Sequence, residues 1–348
     1  MGQDMLLALD AMGGDRAPGM VVDGAELALE RFPDLRFLMV GRESALAPLL
    51  SRTRRLKERV EILHTDEVIT NDTKPSLALR NGRGSSMRLA IDAVRDGRCA
   101  GVVSAGNTGA LMALAKFALR PVPGVERPAI AGLFPTLRGE SVMLDLGANV
   151  QCDARNLVQF AVMGEVFART VLGLTQPSVG LLNVGAEDQK GNEAVKAAAA
   201  FLRAGDGVVD FHGFVEGDDI AAGTVDVVVT DGFTGNVALK TAEGTARLIT
   251  QFMRESFRSS LWAKLGYVFS RTAIARLRRR VDPRRYNGAI FLGVKGVVVK
   301  SHGGTDALGF ANAIGVAVDM GLYNFIDRIQ SQLARLPEEL TVAPAAVG

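Results

Sequence analysis

Short runs of β-branched and aliphatic residues recur along this chain, each followed by a polar turn and then by a longer amphipathic segment. The runs predict strands, and the longer segments, whose apolar residues recur three or four positions apart, predict helices. Strands are predicted at residues 5–10, 36–40, 60–63, 141–144, 179–184, 225–230 and 296–300 and in the run that ends at Ser104, and helices include 19–31 and 76–95. Alternating strands and helices are typical of a mostly parallel sheet with right-handed crossovers.

The turns after these strands decide where a ligand would bind. In a parallel sheet the turns leave from the carboxyl edge, where ligands bind. We therefore expect the polar turns to converge on one crevice. The length and pattern predict a single three-layer α/β/α domain over residues 1–336, followed by a loose tail at residues 337–348.

The turn after Val103 has the composition of a phosphate-binding turn. Ser104, Gly106, Asn107 and Thr108 separate a buried strand from a helix rich in Ala, Leu and Met. Unpaired N–H groups at a helix start, the helix dipole and short polar side chains suit an oxyanion, and glycine lets the backbone approach it. An ordinary turn with a Ser or Thr cap is the simpler explanation of one such turn. The recurrence of similar turns after other strands favours the ligand site.

Composition and missing motifs exclude several classes of protein. The formal net charge of +2 predicts no global attraction to nucleic acid, and two cysteines outside any CxxC motif fit a reducing cytosol. The sequence shows no signal-peptide pattern and no apolar run of about 18 residues that would span a membrane. It contains no GxGxxG, no Gly-Lys dipeptide of a Walker A loop and no HExxH. We therefore expect neither a metal nor a cofactor.

One segment, residues 246–285, differs sharply from the rest in charge. It holds eleven Lys or Arg against two acidic residues, interleaved with large apolar side chains and the only tryptophan. This pattern predicts a basic helical hairpin of two amphipathic helices with a bend near Gly266, suited to an anionic membrane surface or an acidic partner. A helix pair packed on the core or on another subunit remains open, whereas nucleic acid is less favoured. The contact candidates are Leu261, Trp262, Leu265, Arg271, Arg276, Arg278, Arg279 and Arg280.

Three polar residues in later turns are candidates for chemistry. Lys190 lies among acids and glycines, where it could bind phosphate or stabilise an oxyanion, or could be a solvated loop lysine. Asn236 lies at a helix start, and it is an N-cap, an amide that orients a ligand, or both. His302 could touch a ligand, although a lone histidine is more often structural.

Several long motifs, taken together, closely resemble the bacterial phosphate acyltransferase family, the acyl-carrier-protein:phosphate acyltransferases of phospholipid synthesis. The resemblance runs from about residue 5 to residue 330, with the motifs in the same order. They are Asp10-Ala11-Met12-Gly13-Gly14-Asp15, Ser104-Ala105-Gly106-Asn107-Thr108-Gly109-Ala110, Leu182-Asn183-Val184-Gly185 with Glu187-Asp188 and Lys190-Gly191, Thr230-Asp231-Gly232-Phe233-Thr234-Gly235-Asn236, and His302-Gly303.

The resemblance implies a fold similar to that of phosphotransacetylases and isopropylmalate dehydrogenases, and a reaction. Inorganic phosphate would attack the thioester of a long-chain acyl carrier protein and give acyl phosphate. By resemblance, Lys190 and Asn236 are the catalytic candidates. In our interpretation Ser104, Gly106, Asn107 and Thr108 would hold the phosphate. The supporting turns would supply Asp10, Gly13, Gly14, Asp231, Thr234, His302 and Gly303.

The resemblance also implies partners and a location. The basic hairpin falls where the family carries membrane-associating helices, so we expect a cytoplasmic homodimer at the inner face of the membrane. The acidic carrier protein is the second possible client of the hairpin. Three alternatives stay open: a short-chain acyl-CoA phosphotransacetylase, a metal- and nicotinamide-dependent dehydrogenase, for which no Asp cluster is seen, and a membrane-recruited scaffold that binds carrier protein without turnover.

Overall fold

The computed structural model describes residues 5–205, 207–280, 282–323, 325–337 and 340. Its strands are β1 (Leu6–Asp10), β2 (Arg36–Gly41), β3 (Val60–His64), β4 (Gly101–Ser104), β5 (Ala129–Pro135), β6 (Glu140–Leu144), β7 (Ser178–Leu182), β8 (Asp210–Val215), β9 (Val227–Val229), β10 (Ala289–Leu292) and β11 (Val297–Lys300). Its α-helices are α1 (Gly19–Arg31), α2 (Glu43–Leu50), α3 (Pro75–Asn81), α4 (Ser86–Arg95), α5 (Thr108–Leu119), α6 (Ala154–Val171), α7 (Glu193–Ala204), α8 (Gly217–Ala222), α9 (Gly232–Arg258), α10 (Leu261–Arg280), α11 (Ala307–Leu322) and α12 (Phe325–Leu333).

The described strands form one sheet in the order β3-β2-β1-β4-β11-β10-β5-β6-β9-β7-β8. The first five strands of this order are mutually parallel, and so are the last four. Between them, β10 is antiparallel to both β11 and β5, and β5 is antiparallel to β6. The sheet is therefore mostly parallel, as predicted, but its two parallel blocks run in opposite directions.

The register places the carboxyl ends of the two blocks side by side. Val299 near the end of β11, Ile290, Ala131 and Leu144 at the end of β6 are paired in one row across the sheet. The turns after β1, β4 and β11 and those after β6 and β9 therefore leave the sheet at about the same level, although they point in opposite directions. The strands that cause the reversal, β5 and β10, were not predicted from the sequence.

Helices cover both faces of the sheet, so the predicted three-layer architecture is confirmed. On one face α1 packs against α11, and α6 packs against α7 and α12. The core on this face includes Leu9, Phe160 and Phe310. On the other face α5 packs against α3 and α4, over a core that includes Ile91 and Leu114. On both faces the apolar side chains of the helices and of the sheet are thus buried against each other, and this burial is the main contribution to stability.

The helix predicted over residues 76–95 is two helices, α3 and α4. The chain between them makes a turn in which Ser85 Oγ donates to the Gly82 carbonyl at 2.7 Å and accepts from the Arg88 N–H at 3.3 Å. Ser85 therefore caps a new helix instead of continuing the old one. Gly84 fits here because an added Cβ would lie 2.7 Å from the Glu67 carboxylate. Gly82 at the end of α3 is a poor helix former, and the Ser85 cap then starts α4.

The basic hairpin consists of the long helix α9 and of α10. The turn lies at Ser259 and Ser260, not near Gly266, which is inside α10. Ser260 Oγ accepts from the Ala263 N–H at 3.0 Å, so a serine cap starts the second helix. Trp262 and Phe269 are 83% and 86% exposed, which leaves the apolar side of the hairpin in contact with water. No helix among the described residues has the length and apolar character needed to cross a membrane.

The first turn of α9 allows a sharp test of its packing. A Cβ added to Gly235 would lie 2.0 Å from the Asp145 carbonyl oxygen, a backbone atom that cannot move aside cheaply. We expect Gly235→Ala to lower the free energy of unfolding by about 2–3 kcal/mol, measured by chemical denaturation. The matched control is Gly244→Ala in the same helix, where an added Cβ meets nothing within 4 Å. That change should stabilise by about 0.5–1 kcal/mol, and equal effects of the two substitutions would contradict the packing described here.

Candidate functional site

A buried carboxylate organises the turns after β1 and β4. Asp10 is 1% exposed, and its two oxygens accept from Ser86 Oγ at 2.6 Å and from Ser104 Oγ at 2.7 Å. Ser104 Oγ also accepts from the Gly106 N–H at 3.1 Å. Burial raises the pKa of Asp10, and the two serine hydroxyls act against that shift. The hydroxyl of Ser104, predicted to contact phosphate, therefore has its hydrogen bonds inside the protein.

Glycine is required where the β1 turn meets the β4 turn. A Cβ added to Gly13 would lie 2.4 Å from Asp10 Oδ2 and 2.7 Å from the Gly106 nitrogen. Gly14 has a φ of +105°, which favours glycine. The next residue, Asp15, donates its N–H to the Gly303 carbonyl at 2.9 Å. The predicted residues of β1, β4 and the turn after β11 are thus brought together.

Asn107 acts as a structural clamp. Its Oδ1 accepts from the Ala110 N–H at 3.0 Å and caps α5. Its Nδ2 donates to the carbonyls of Asn71 at 2.8 Å and Thr73 at 3.0 Å, which holds the preceding loop. Thr108, by contrast, is exposed at the start of α5. Of the side chains predicted to hold phosphate, Thr108 is the one that is open to solvent.

Lys300, which the sequence analysis did not identify, ends β11 beside this cluster. Its neighbour across the sheet is Ser104 on β4, and its Nζ donates to the Ala105 carbonyl at 3.4 Å and to the Ser301 carbonyl. Burial lowers the pKa of Lys300 to about 8, although Asp10 and Asp15 act in the opposite direction. The sequence did contain a signal for Lys300. A lysine directly after three buried valines places a charge at the end of a buried strand, which is costly unless the charge has a partner.

Two basic groups, Lys240 and His302, lie near Lys300 in addition to the carboxylates of Asp10 and Asp15. Burial lowers the pKa of His302, and the positive charges of Lys240 and Lys300 add to that effect. Lys240 likewise lowers the pKa of Lys300. Lys240 belongs to α9, the helix that follows β9, so this helix brings a cation close to the turn after β11.

The segment that follows the hairpin holds the His302 turn. Asn287 donates from Nδ2 to Ser301 Oγ at 2.8 Å, and its Oδ1 accepts from the His302 N–H at 2.8 Å. Arg284 donates to Asp306, the N-cap residue of α11, at 2.9 Å. The chain leaving α10 is thus fixed to the turn between β11 and α11.

A second buried carboxylate, Asp145, organises the turn after β6. It accepts hydrogen bonds from the N–H groups of Ile130, Gly147, Ala148 and Asn149 and from Asn149 Nδ2, at distances of 2.8–3.1 Å. Burial raises the pKa of Asp145, while these donors act in the opposite direction. The carboxylate thereby fixes the backbone of the turn that faces the start of α9.

Asn236 lies on the first turns of α9 and reaches this loop. Its Nδ2 donates to the Leu146 carbonyl at 3.1 Å. Asp231 caps the helix by accepting from the Thr234 N–H at 2.8 Å and from Thr234 Oγ1 at 2.9 Å. Asn236 is therefore not the cap but an exposed amide whose orientation is set by the loop, which suits the second of its two predicted roles.

Lys190 lies in the turn after β7, the neighbour of β9 in the sheet. Its backbone is fixed, since its N–H donates to the Glu187 carbonyl at 3.0 Å and its carbonyl accepts from Asn183 Nδ2 at 3.2 Å. Its side chain is exposed, and no carboxylate in the described part of the chain lies within ion-pair distance of it. No described contact joins Lys190 to Asn236.

The helix α9 links the two groups of turns. Asn236 and Lys240 are four residues apart and so share one face of the helix, about 6 Å apart. Asn236 contacts the Asp145 turn, while Lys240 acts on Lys300 and His302. One helix face thus borders both groups, and its Asn236 and its Lys240, which pairs with Glu243 at 2.9 Å, offer N–H donors to an anion.

Within the described ranges, no three or more His, Cys, Asp or Glu side chains are grouped so that they could hold a metal ion.

Of the hairpin candidates, Leu261, Trp262 and Leu265 are exposed, as are Arg271 and Arg276. The side chains of Arg278, Arg279 and Arg280 lie outside the described residues, as do residues 338–339 and 341–348 of the predicted tail.

Comparison with known proteins identifies the family. Residues 5–328 match the family described as "Fatty acid synthesis protein". A phosphate acyltransferase of Rhodospirillum centenum is 62% identical over 99% of this chain and 97% of its own length. The chain belongs to the phosphate acyltransferase family. A second member, from Paramagnetospirillum magneticum, is 59% identical over the whole of this chain and 99% of its own length.

A solved structure supports the fold independently. A phosphotransacetylase from Streptococcus pyogenes superposes with a TM-score of 0.64 over 92% of this chain and 95% of its own. Sequence identity is 15%, so this likeness concerns the fold alone. The predicted relation to the phosphotransacetylase fold is confirmed.

The depressed pKa of Lys300 predicts a stability effect with a definite sign. The unfolded lysine binds its proton more tightly, so the penalty for the buried charge is present below about pH 8 and disappears as the pH rises towards 10.5. We expect Lys300→Met to raise the free energy of unfolding by about 1–3 kcal/mol near neutral pH, with a smaller gain at about pH 10.

Guanidinium denaturation of both proteins at the two pH values is the measurement. If the gain in free energy of unfolding is the same at both pH values, or if stability is lost near neutral pH, burial of the Lys300 charge does not destabilise the protein. Lys57→Met, at an exposed lysine, is the control and should leave stability unchanged at both pH values.

Proposed function

We propose that this protein transfers a long-chain fatty acyl group from the thioester of acyl carrier protein to inorganic phosphate. The observation that carries the proposal is membership of the phosphate acyltransferase family over nearly the whole chain. Side chains in the two groups of turns and on α9 support it, because Lys190, Lys240, Lys300 and Asn236 offer positive charge and amide donors to an anionic reactant.

The proposed reaction needs no side-chain nucleophile. A phosphate oxygen attacks the thioester carbonyl carbon and forms the new C–O bond. The tetrahedral intermediate then collapses, the C–S bond breaks, and the carrier leaves as a thiolate that takes a proton from solvent. Phosphate is already an anion near neutral pH, so the protein has to position the reactants and stabilise the charge on the intermediate.

We assign the stabilising roles to Lys190 and Asn236. Lys190 has a fixed backbone and an exposed ammonium without a described carboxylate partner, so its charge is available to phosphate or to the oxyanion. Asn236 is held by one amide hydrogen to the Leu146 carbonyl, which turns the rest of the amide in a defined direction. It would orient phosphate or the thioester carbonyl.

The reaction is tested by phosphate-dependent loss of palmitoyl-carrier thioester with purified protein, without added metal or nucleotide. We expect hydroxylamine-trappable acyl phosphate to appear in equal amount. Lys190→Ala and Asn236→Ala should each lower kcat by about 10²–10³-fold, the usual loss for an oxyanion donor. Lys57→Ala, at an exposed lysine on another loop, is the matched control and should keep full activity.

The outcomes separate the alternatives. Turnover of acetyl-CoA without turnover of the carrier substrate would favour the short-chain phosphotransacetylase, whose fold this chain shares. Carrier binding without any thioester loss would favour a scaffold. A Lys190→Ala enzyme that keeps about half of the wild-type rate would remove Lys190 from the chemistry.

We further propose that the protein acts as a homodimer on the inner face of the membrane, attached through the hairpin. Exposed apolar side chains at its turn, Leu261 and Trp262, accompany the eleven basic residues of the segment. Such a surface suits an anionic bilayer, where each cation adds about 1 kcal/mol. Release of a product with a long apolar chain is also favoured next to a bilayer.

Vesicle flotation tests the attachment. We expect Trp262→Ser with Phe269→Ser to abolish binding to vesicles of anionic lipid, because these rings supply apolar area that a bilayer would bury. The carrier KM should stay unchanged. A higher carrier KM with unchanged flotation would instead assign the hairpin to the carrier protein, and no change in either would make it structural.

A further inference from the structure

The ammonium of Lys300 is a partly buried positive charge that forms no ion pair with the described residues. Among the described residues, no carboxylate lies within 4.0 Å of its Nζ, and its two hydrogen bonds go to the carbonyls of Ala105 and Ser301. An ammonium has three N–H groups, so one donor remains. The residue is only partly exposed, and a partly buried charge of this kind is costly unless it has a partner.

The nearby carboxylates already have other partners. Asp10 accepts from two serine hydroxyls, and Asp15 accepts from Asn71 Nδ2 at 3.1 Å. Glu243 pairs with Lys240 at 2.9 Å and with Arg247 at 3.3 Å. Glu243 also acts on His302, as Asp10 and Asp15 act on Lys300, so each of these cations has a carboxylate nearby, but Lys300 has none within 4.0 Å among the described residues.

An independent observation concerns the glycine turn beside Lys300. Gly303 is not in the left-handed region, and a Cβ added to it would meet nothing closer than the Ala105 carbonyl at 3.5 Å. The fold itself would thus accept alanine at this position. The same Ala105 carbonyl accepts from Lys300 Nζ, and the Asp15 carboxylate oxygens would lie 3.6 and 3.9 Å from the added methyl group. The glycine keeps space open there, which a ligand would need.

We propose that inorganic phosphate binds against Lys300, with Lys240 and His302 around it and the Gly303 turn leaving room for it. This inference rests on the proposed function for the identity of the anion. It places the acceptor beside the Asp10 cluster but gives the main contact to Lys300 instead of to the Ser104 hydroxyl. Phosphate would accept the remaining N–H of Lys300 and bring a negative charge directly to the ammonium, and the face of α9 would carry Asn236 within one helical turn of Lys240.

The test compares Lys300→Met and Gly303→Ala with the control Lys57→Met. Initial rates are measured over a range of phosphate concentrations, and binding of ³²P-phosphate is measured by equilibrium dialysis without carrier protein. We expect Lys300→Met to raise both the phosphate KM and the phosphate Kd by at least about tenfold. Gly303→Ala should raise the phosphate KM with an unchanged Tm, and the control should change neither.

Each alternative outcome has a definite meaning. A phosphate KM within about twofold of wild type in both site variants would overturn the inference. So would a rise confined to the carrier KM, which would assign Lys300 to the phosphodiester of the carrier's prosthetic arm. If Lys300→Met does not fold, Lys240→Met on the exposed face of α9 replaces it, with the same expected rise in phosphate KM.

The inference and the proposed function fail separately. Phosphate binding that depends on Lys300 in a protein without thioester cleavage would contradict the reaction and support the site. Normal thioester cleavage with a phosphate KM insensitive to Lys300 and Gly303 would support the reaction and contradict the site.

Discussion

The change of strand direction at the centre of the sheet constrains everything else in this protein. Two antiparallel strands, β5 and β10, separate two parallel blocks whose polar turns point in opposite directions. The register sets the end of β11 and the end of β6 at the same level of the sheet, so the two sets of turns leave it close together. The helix α9 begins after β9 in the second set and reaches the first set with Lys240.

Two buried carboxylates make the turns rigid enough for this arrangement. Asp10 holds the first set through serine hydroxyls, and Asp145 holds the second through backbone N–H groups. Each carboxylate is costly to bury alone, and each is compensated by several donors. Close glycine contacts at Gly13 and Gly235 then bring neighbouring backbone directly against the carboxylate turns. The active-site residues therefore stand on fixed backbone, although most of them lie in loops.

Periodicity predicted the local elements well, because strands and helices are determined by neighbours in sequence. It could not show that β5 and β10 reverse the sheet, since strand direction depends on pairing between residues far apart. Motif resemblance proposed Lys190 and Asn236 as catalytic residues, but it could not show that Ser104 and Asn107 form hydrogen bonds inside the protein. Lys300 escaped notice for the same reason: its significance depends on Lys240, sixty residues earlier along the chain. The hairpin bend was misplaced because a glycine was given more weight than a serine cap.

Both ends of the hairpin are fastened to the catalytic region. Its first helix begins on the Asp145 turn, and the chain that leaves its second helix is bonded through Arg284 and Asn287 to the turn that carries His302. The hairpin is thus held at both ends by the turns that carry the candidate site residues. Docking on the hairpin and ligand binding beside Asn236 and Lys240 therefore share one continuous helix, α9.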